Sequence, residues 1–230
     1  RESQPRFAPR PSLWRNIARR AFAAPAVQVE LCYRHAGAWS TEPPRVIKPA
    51  ADGALLAILL PALAPQTGRG SIASFLAGLA LSLRELQADP AAPACFVAVA
   101  MQDRPGLRRR EALLEELEVQ WTQLGMADTP LVGVSISQPS KILALNACST
   151  LLDTNCATCV AWFDDDVEVE PGCLRAFWRA FDPGFDGIYG VRKIATGDRS
   201  RFSRLWARTK NQREPINTYP HGCGMLMSRA

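Results

Sequence analysis

Asp164, Asp165 and Asp166 stand side by side, directly after the apolar run Val160-Ala161-Trp162-Phe163. Three carboxylates at the end of a strand repel one another, and the arrangement costs stability unless a cation or water offsets the charge. Carboxylate oxygens are hard ligands suited to Mg2+ or Mn2+. Such an ion keeps several waters and shares its remaining positions with substrate phosphates. The chemistry expected here is therefore a divalent ion held beside a diphosphate. The competing expectation is an acidic turn that caps the helix beginning near Pro171. The buried strand before the cluster favours the ion, because ligands of open α/β sheets bind where strands end.

Other constellations carry less. Cys156-Ala157-Thr158-Cys159 has metal-ligand spacing, but a zinc site needs two further ligands, for which Cys173, His221 and Cys223 are candidates. Cys159 lies in an apolar strand and Cys156 at a helix end, so core or boundary cysteines are the expectation over zinc or a redox pair. The only histidines are His35 and His221, with no Gly-x-Ser-x-Gly around a nucleophile. No Gly-x-Gly-x-x-Gly follows the first long strand, and no Gly-rich loop carries Lys and Ser/Thr, which counts against a dinucleotide oxidoreductase and a P-loop ATPase.

The elements that would position the aspartates alternate. Val27, Val29, Leu31 and Tyr33 alternate with polar neighbours as in a half-buried strand, and His35-Ala36-Gly37 turns it. Pro-rich residues 41–53 read as an extended linker. Ala54 to Leu60 is a continuous apolar run that Pro61 is expected to end, and such runs mark strands covered on both faces. Ser71 is a cap for a helix to about Gln87 that buries Ile72, Phe75, Leu76, Leu79 and Leu83. Strand Cys95 to Met101, helix Leu107 to Leu124, strand Leu131 to Ile136, helix Ser140 to Asn155 and strand Thr158 to Phe163 follow. A helix from Pro171 to about Phe181 and a strand from Gly187 to Ile194 complete the pattern. This is an α/β fold with a mostly parallel sheet flanked by helices. Right-handed crossovers bring the strand ends, Pro61-Ala62-Leu63, Gln102-Asp103, Ser137-Gln138 and the aspartates, to one edge.

Composition agrees with a globular protein. In 230 residues, hydrophobic residues make up 47% and charged residues 21%, which excludes disorder for the bulk of the chain, a coiled coil and a small disulfide scaffold. Seven cysteines, an odd number with several inside apolar runs, suit reduced thiols in a reducing compartment. No run approaches the roughly 18 apolar residues of a membrane span, and no secretory signal is evident. The net charge of +5 permits an anionic partner. Residues 1–20 hold six Arg and one Glu; a helix from Pro11 to Phe22 would be a solvated leader or a basic amphipathic element on an anionic membrane. The expected organisation is a basic extension over 1–52, whose strand is a small accessory sheet or an edge of the main one, and a main domain over 53–230. From Arg192 to Arg213 the chain is again basic, with Phe202 and Trp206 interleaved. Aromatics four apart share one helix face and pack down, so a solvated loop over the site, or contact with an anionic donor or lipid headgroup, is expected rather than nucleic acid.

Trp162-Phe163-Asp164-Asp165-Asp166-Val167-Glu168-Val169, followed by Pro171-Gly172-Cys173-Leu174, resembles the DxD segment of family-two glycosyltransferases of the GT-A fold. Ser140-Lys141-Ile142-Leu143-Ala144-Leu145-Asn146 is similar to that family's upstream GKaxAlN segment, at a fitting distance. His221-Gly222-Cys223-Gly224-Met225 resembles its acceptor-side glycine segment, and Ile58-Leu59-Leu60-Pro61 the end of its first strand. The resemblance covers about Ala54 to Ala230. It implies a Rossmann-like GT-A domain in which Asp164 and Asp166 hold Mn2+ or Mg2+, with Asp164 near the donor's ribose or the metal and Asp166 on the metal through which the diphosphate is bound, and in which Lys141 lies near the donor phosphates. Pro61, Asn146 and Asp165 would also border the donor, Asp103 would read the base, and His221, Gly222 and Gly224 would line the acceptor pocket. Two segments depart from the pattern: Ala62-Leu63-Ala64 lacks the usual polar pair, and Met101-Gln102-Asp103-Arg104-Pro105 is not the usual DDgSxD.

The implied activity is metal-dependent transfer of a sugar, with inversion, from a nucleotide-diphosphate sugar, foremost a UDP-sugar, to a hydroxyl of a saccharide, lipid or protein acceptor. Inversion needs a general base, which the family carries in an acidic pair expected beyond Ala230, so the catalytic base is not assigned. The alternatives are a degenerate or truncated GT-A domain that binds nucleotide or a partner without turnover and, third, a sugar nucleotidyltransferase, for which Gly68-Arg69-Gly70 is a thin glycine loop. The expected location is the cytoplasm, with peripheral contact at the inner face of the membrane.

Overall fold

The computed structural model describes residues 29–47, 54–63, 72–102, 110–164, 167, 169–181, 187–189 and 225–228. The basic leader, the cap at Ser71, Asp103, Asp165, Asp166, the basic stretch from Arg192 to Arg213, and His221, Gly222 and Gly224 lie outside them.

The described elements run β1 (Leu31–His35), β2 (Ala38–Ser40), β3 (Leu55–Leu63), α1 (Ile72–Gln87), β4 (Ala94–Gln102), α2 (Arg110–Gln123), β5 (Leu131–Ile136), α3 (Lys141–Asn155), β6 (Cys159–Trp162), α4 (Cys173–Ala180), β7 (Gly187–Tyr189) and β8 (Met225–Ser228). They form one eight-stranded sheet in the order β2-β1-β5-β4-β3-β6-β8-β7. The four central strands, β5, β4, β3 and β6, are parallel. The flanking strands are antiparallel, β1 and β2 on one side and β8 and β7 on the other.

The apolar runs are continuous because both sheet faces are covered. Leu56, Ile58, Leu60 and Ala62 of β3 face a core that includes residues of α1, α2 and α4. Leu55, Ala57 and Leu59 face the opposite core, with α3 and Tyr33. From β3 through α1, β4 and α2 to β5, the sheet therefore grows in one direction. α3 then carries the chain back across the other face to β6, on the far side of β3. The direction of winding reverses between β3 and β6, and this is where open α/β sheets leave a crevice at the carboxyl ends of their strands.

Pro61 does not end β3, which continues to Leu63. Thr158 N donates to Leu55 O and Phe163 N to Leu59 O, so these odd-numbered residues bond toward β6. Pro61 shares that side, but pairing with β6 stops at Leu59 and Trp162. The ladder therefore loses no hydrogen bond to the missing N–H. The strand from β1 turns through Ala36 and Gly37, both at positive φ (49° and 79°), as a two-residue hairpin requires. β1 pairs with β5 from Val132 to Ile136, so the hairpin is an edge of the main sheet. Glu118 of α2 ties it down, accepting from Gly37 N at 2.7 Å and Arg34 Nε at 2.8 Å. The linker is held by the buried Asn155, whose Oδ1 accepts from Val46 N at 2.8 Å while its Nδ2 donates to Pro44 O at 3.0 Å. Among the described residues, no helix is long and apolar enough to cross a membrane.

Candidate functional site

Two elements bring the first two site residues together. β6 is buried through Val160 and Ala161, and Phe163 still follows β3, its N–H donating to Leu59 O at 3.0 Å. Phe163 is buried against Phe75 of α1, ring centroids 5.7 Å apart and planes at 61°. Asp164 is thus the first residue past a firmly held strand end. Across the winding reversal, Ser140 caps α3 in extended geometry (φ −153°, ψ 112°), its Oγ accepting from Leu143 N at 3.3 Å. The cap fixes the first turn of α3, and Ala144, Ala147, Cys148 and Leu151 anchor the helix on the sheet. Lys141, first residue of the helix, then reaches Asp164: Nζ lies 2.6 Å from Oδ1, across a sequence separation of 23. The ammonium side chain is 61% exposed and the carboxylate 28%, so the pair lies open at the carboxyl edge.

The other expected residues are distributed differently. Pro61 is buried near the end of β3. Asn146 is exposed on α3, and five residues turn it about 140° around the helix from Lys141. Its carbonyl accepts from Thr150 Oγ1 at 3.1 Å. Met225, at the end of the glycine segment, begins β8, whose central residues pair with β6 on one side and β7 on the other. The segment after the aspartates is anchored on α1, with the Leu174 N–H donating to the buried Ser82 Oγ at 2.9 Å.

A second polar group, absent from the sequence expectations, sits three strands over from β6, at the end of β5. Ser135, near the end of β5, is buried; its Oγ accepts from Arg110 Nε at 2.5 Å and donates to Glu111 Oε1 at 3.0 Å. Arg110 Nη2 also meets Glu111 Oε1 at 2.9 Å. The signal available in sequence was a serine in the otherwise apolar run Leu131 to Ile136. At the end of β4, Gln102 is also buried. A cleft of about 660 Å3 opens at the opposite, amino edge of the sheet, bordered by Gln87, Asp89, Asp128 and Thr129, away from Asp164.

The cysteines fall into two kinds. Cys95 and Cys148 are buried, and burial pushes both thiols up to about 12; burial also raises Cys159, and Cys173 to about 11. Cys156 is exposed, capping α3 in the left-handed conformation (φ 53°). The six described cysteines are all free of disulfides. Among the described residues, no three His, Cys, Asp or Glu side chains gather as a metal cluster.

The arrangement can do two things chemically. It presents a carboxylate with hard oxygen donors at the winding reversal, and beside it a cation on the first turn of a capped helix, where N–H groups and the helix dipole favour an anion. No protein-family model matches this sequence, and no curated protein is significantly similar to it.

Proposed function

We propose that the chain is a metal-dependent glycosyltransferase domain of the GT-A type, which takes a sugar from a nucleotide-diphosphate donor, a UDP-sugar foremost. The observation that carries this reading is the 2.6 Å contact of Lys141 with Asp164 at the reversal between β3 and β6. It joins the two segments that carry the resemblance to this enzyme family.

The donor chemistry of Asp164 fits a hard cation: it is an oxygen ligand, partly exposed at a strand end. Asp164 and Asp166 would hold Mn2+ or Mg2+, which when bound offsets negative charge on the leaving diphosphate. Lys141 would bind the phosphates as a point charge, turning from Asp164 toward the anion. The first turn of α3 would add backbone N–H groups fixed in advance by the Ser140 cap. The buried strand end at Phe163 would keep the Asp164 carboxylate from drifting as the donor enters.

A second reading is a domain that binds a nucleotide or a partner without turnover. The same contact favours it: Lys141 already fills the position at Asp164 Oδ1 that a cation would take. The two are separated by incubating the protein with UDP-, GDP- and dTDP-sugars in Mn2+ and in EDTA and measuring nucleoside diphosphate released. Metal-dependent release that Asp164→Ala abolishes supports the transferase. Binding without release in every case supports the second reading.

A further inference from the structure

One side of α1 carries the chain that follows the candidate site, contact by contact. The Phe75 ring meets Phe163. At Gly78 the helix surface lies so close to Val169 that an added Cβ would stand 2.6 Å from its carbonyl oxygen. Ser82 Oγ accepts from Leu174 N. Glu85 Oε2 faces Arg175 Nη2 at 3.8 Å. Just past the helix, Asp89 Oδ2 accepts from Arg179 Nη2 at 3.1 Å. These α1 positions are spaced by three and four residues in alternation, the spacing that keeps side chains on one helical stripe. Their partners ascend in sequence from Phe163 to Arg179. Within this rail, the Asp164 carbonyl accepts from Val167 N at 3.3 Å, and the buried Val169 lies against the half-buried Gly78.

We infer that Gly78 is a positioning residue for Asp164. The absence of a side chain lets the Val169 backbone seat on α1, and this seat, with Phe163 on Phe75 and the Val167 N–H on the Asp164 carbonyl, holds the chain on both sides of Asp164 and so keeps its carboxylate at the carboxyl edge. The neighbour that a Cβ would strike is a backbone carbonyl, which cannot rotate out of the way as a side-chain tip can, so the segment itself must move. At Gly133 of β5, by contrast, an added Cβ meets the Leu114 side chain at 3.0 Å. Gly133→Ala is therefore a matched overpacking change elsewhere on the same face. The inference rests on the reading of Asp164 as a donor-site residue.

The test compares wild type, Gly78→Ala and Gly133→Ala well below their melting temperatures. Amide exchange is followed over Val167–Leu174, and binding of UDP with Mn2+ is measured by calorimetry. Gly78→Ala should raise exchange in that segment and weaken Mn2+-dependent UDP binding about 10–100-fold, the usual effect of disturbing the support of a metal ligand. Gly133→Ala should leave both unchanged, whatever stability it loses. Wild-type exchange or wild-type affinity in Gly78→Ala would overturn the positioning role. A wild-type protein that binds no nucleoside diphosphate under any metal condition would instead overturn the site reading, and the positioning role with it.

Discussion

Lys141 Nζ lies 2.6 Å from Asp164 Oδ1, so the first turn of α3 and the end of β6 meet across the point where the winding of the sheet reverses. Because both groups are partly exposed, the pair itself adds little to folding. Asp164→Asn should change unfolding free energy by less than about 1 kcal/mol, measured by urea denaturation. The same variant should lose metal-dependent diphosphate binding. A large loss of stability with binding retained would mark the pair as structural.

Ser140→Ala removes the side-chain acceptor that holds the first turn of α3. The expected cost is about 1 kcal/mol. Because Lys141 stands on that turn, phosphate affinity should fall as well, and Ser140→Asp, which restores an acceptor, should recover stability. Calorimetry on the two variants checks this.

Ser82→Ala leaves the Leu174 N–H buried without its acceptor. An unsatisfied buried donor costs about 1–3 kcal/mol. For a chain of this size each kcal/mol lowers the melting temperature by about 2–4 °C, so differential scanning calorimetry should register the loss clearly. An unchanged melting temperature would show that water replaces the hydroxyl.

Buried thiols make the fold sensitive to alkali. Burial raises Cys148 from 9.0 to about 12 and Cys95 likewise; the Tyr33 phenol, beside Cys148, is raised for the same reason. In the unfolded chain these groups ionise at their ordinary values. Their contribution is therefore full below pH 9 and is lost as pH climbs from 9 toward 12. Urea midpoints should fall over that window, and Cys148→Ala should flatten the decline. At pH 8 an aromatic disulfide reagent should label exposed Cys156 in the native protein and reach Cys95 and Cys148 only on unfolding.

The parts legible in sequence are those set by local pattern. The run Leu131 to Ile136 reads as a strand because six consecutive residues are buried there. Asp164 is recognisable as a polar residue at the end of an apolar strand, whereas its contact with Lys141 at the start of α3 depends on how α3 crosses the sheet and is seen only once both are placed. Pro61 misled because its missing donor matters only if a neighbour strand is present on that side, which depends on where β6 ends. Strand β8 was missed for the same kind of reason: a four-residue strand is defined by its distant partners β6 and β7. Gly78, within an alanine- and leucine-rich helix, looks like any small residue until Val169 is placed on it. Ser135 looks like an interruption in a strand until Arg110 and Glu111 close around it.

The central claim is tested most directly by a thermal-shift panel of uridine, guanosine, thymidine and cytidine diphosphates, each with Mn2+ and with EDTA, on wild type and Asp164→Ala. At a ligand concentration of 100 dissociation constants, binding adds about 2.7 kcal/mol, or about 5–11 °C. The account predicts a Mn2+-dependent rise of that size with one diphosphate, absent in EDTA and absent in Asp164→Ala. No rise with any diphosphate, or an equal rise in Asp164→Ala, would contradict it.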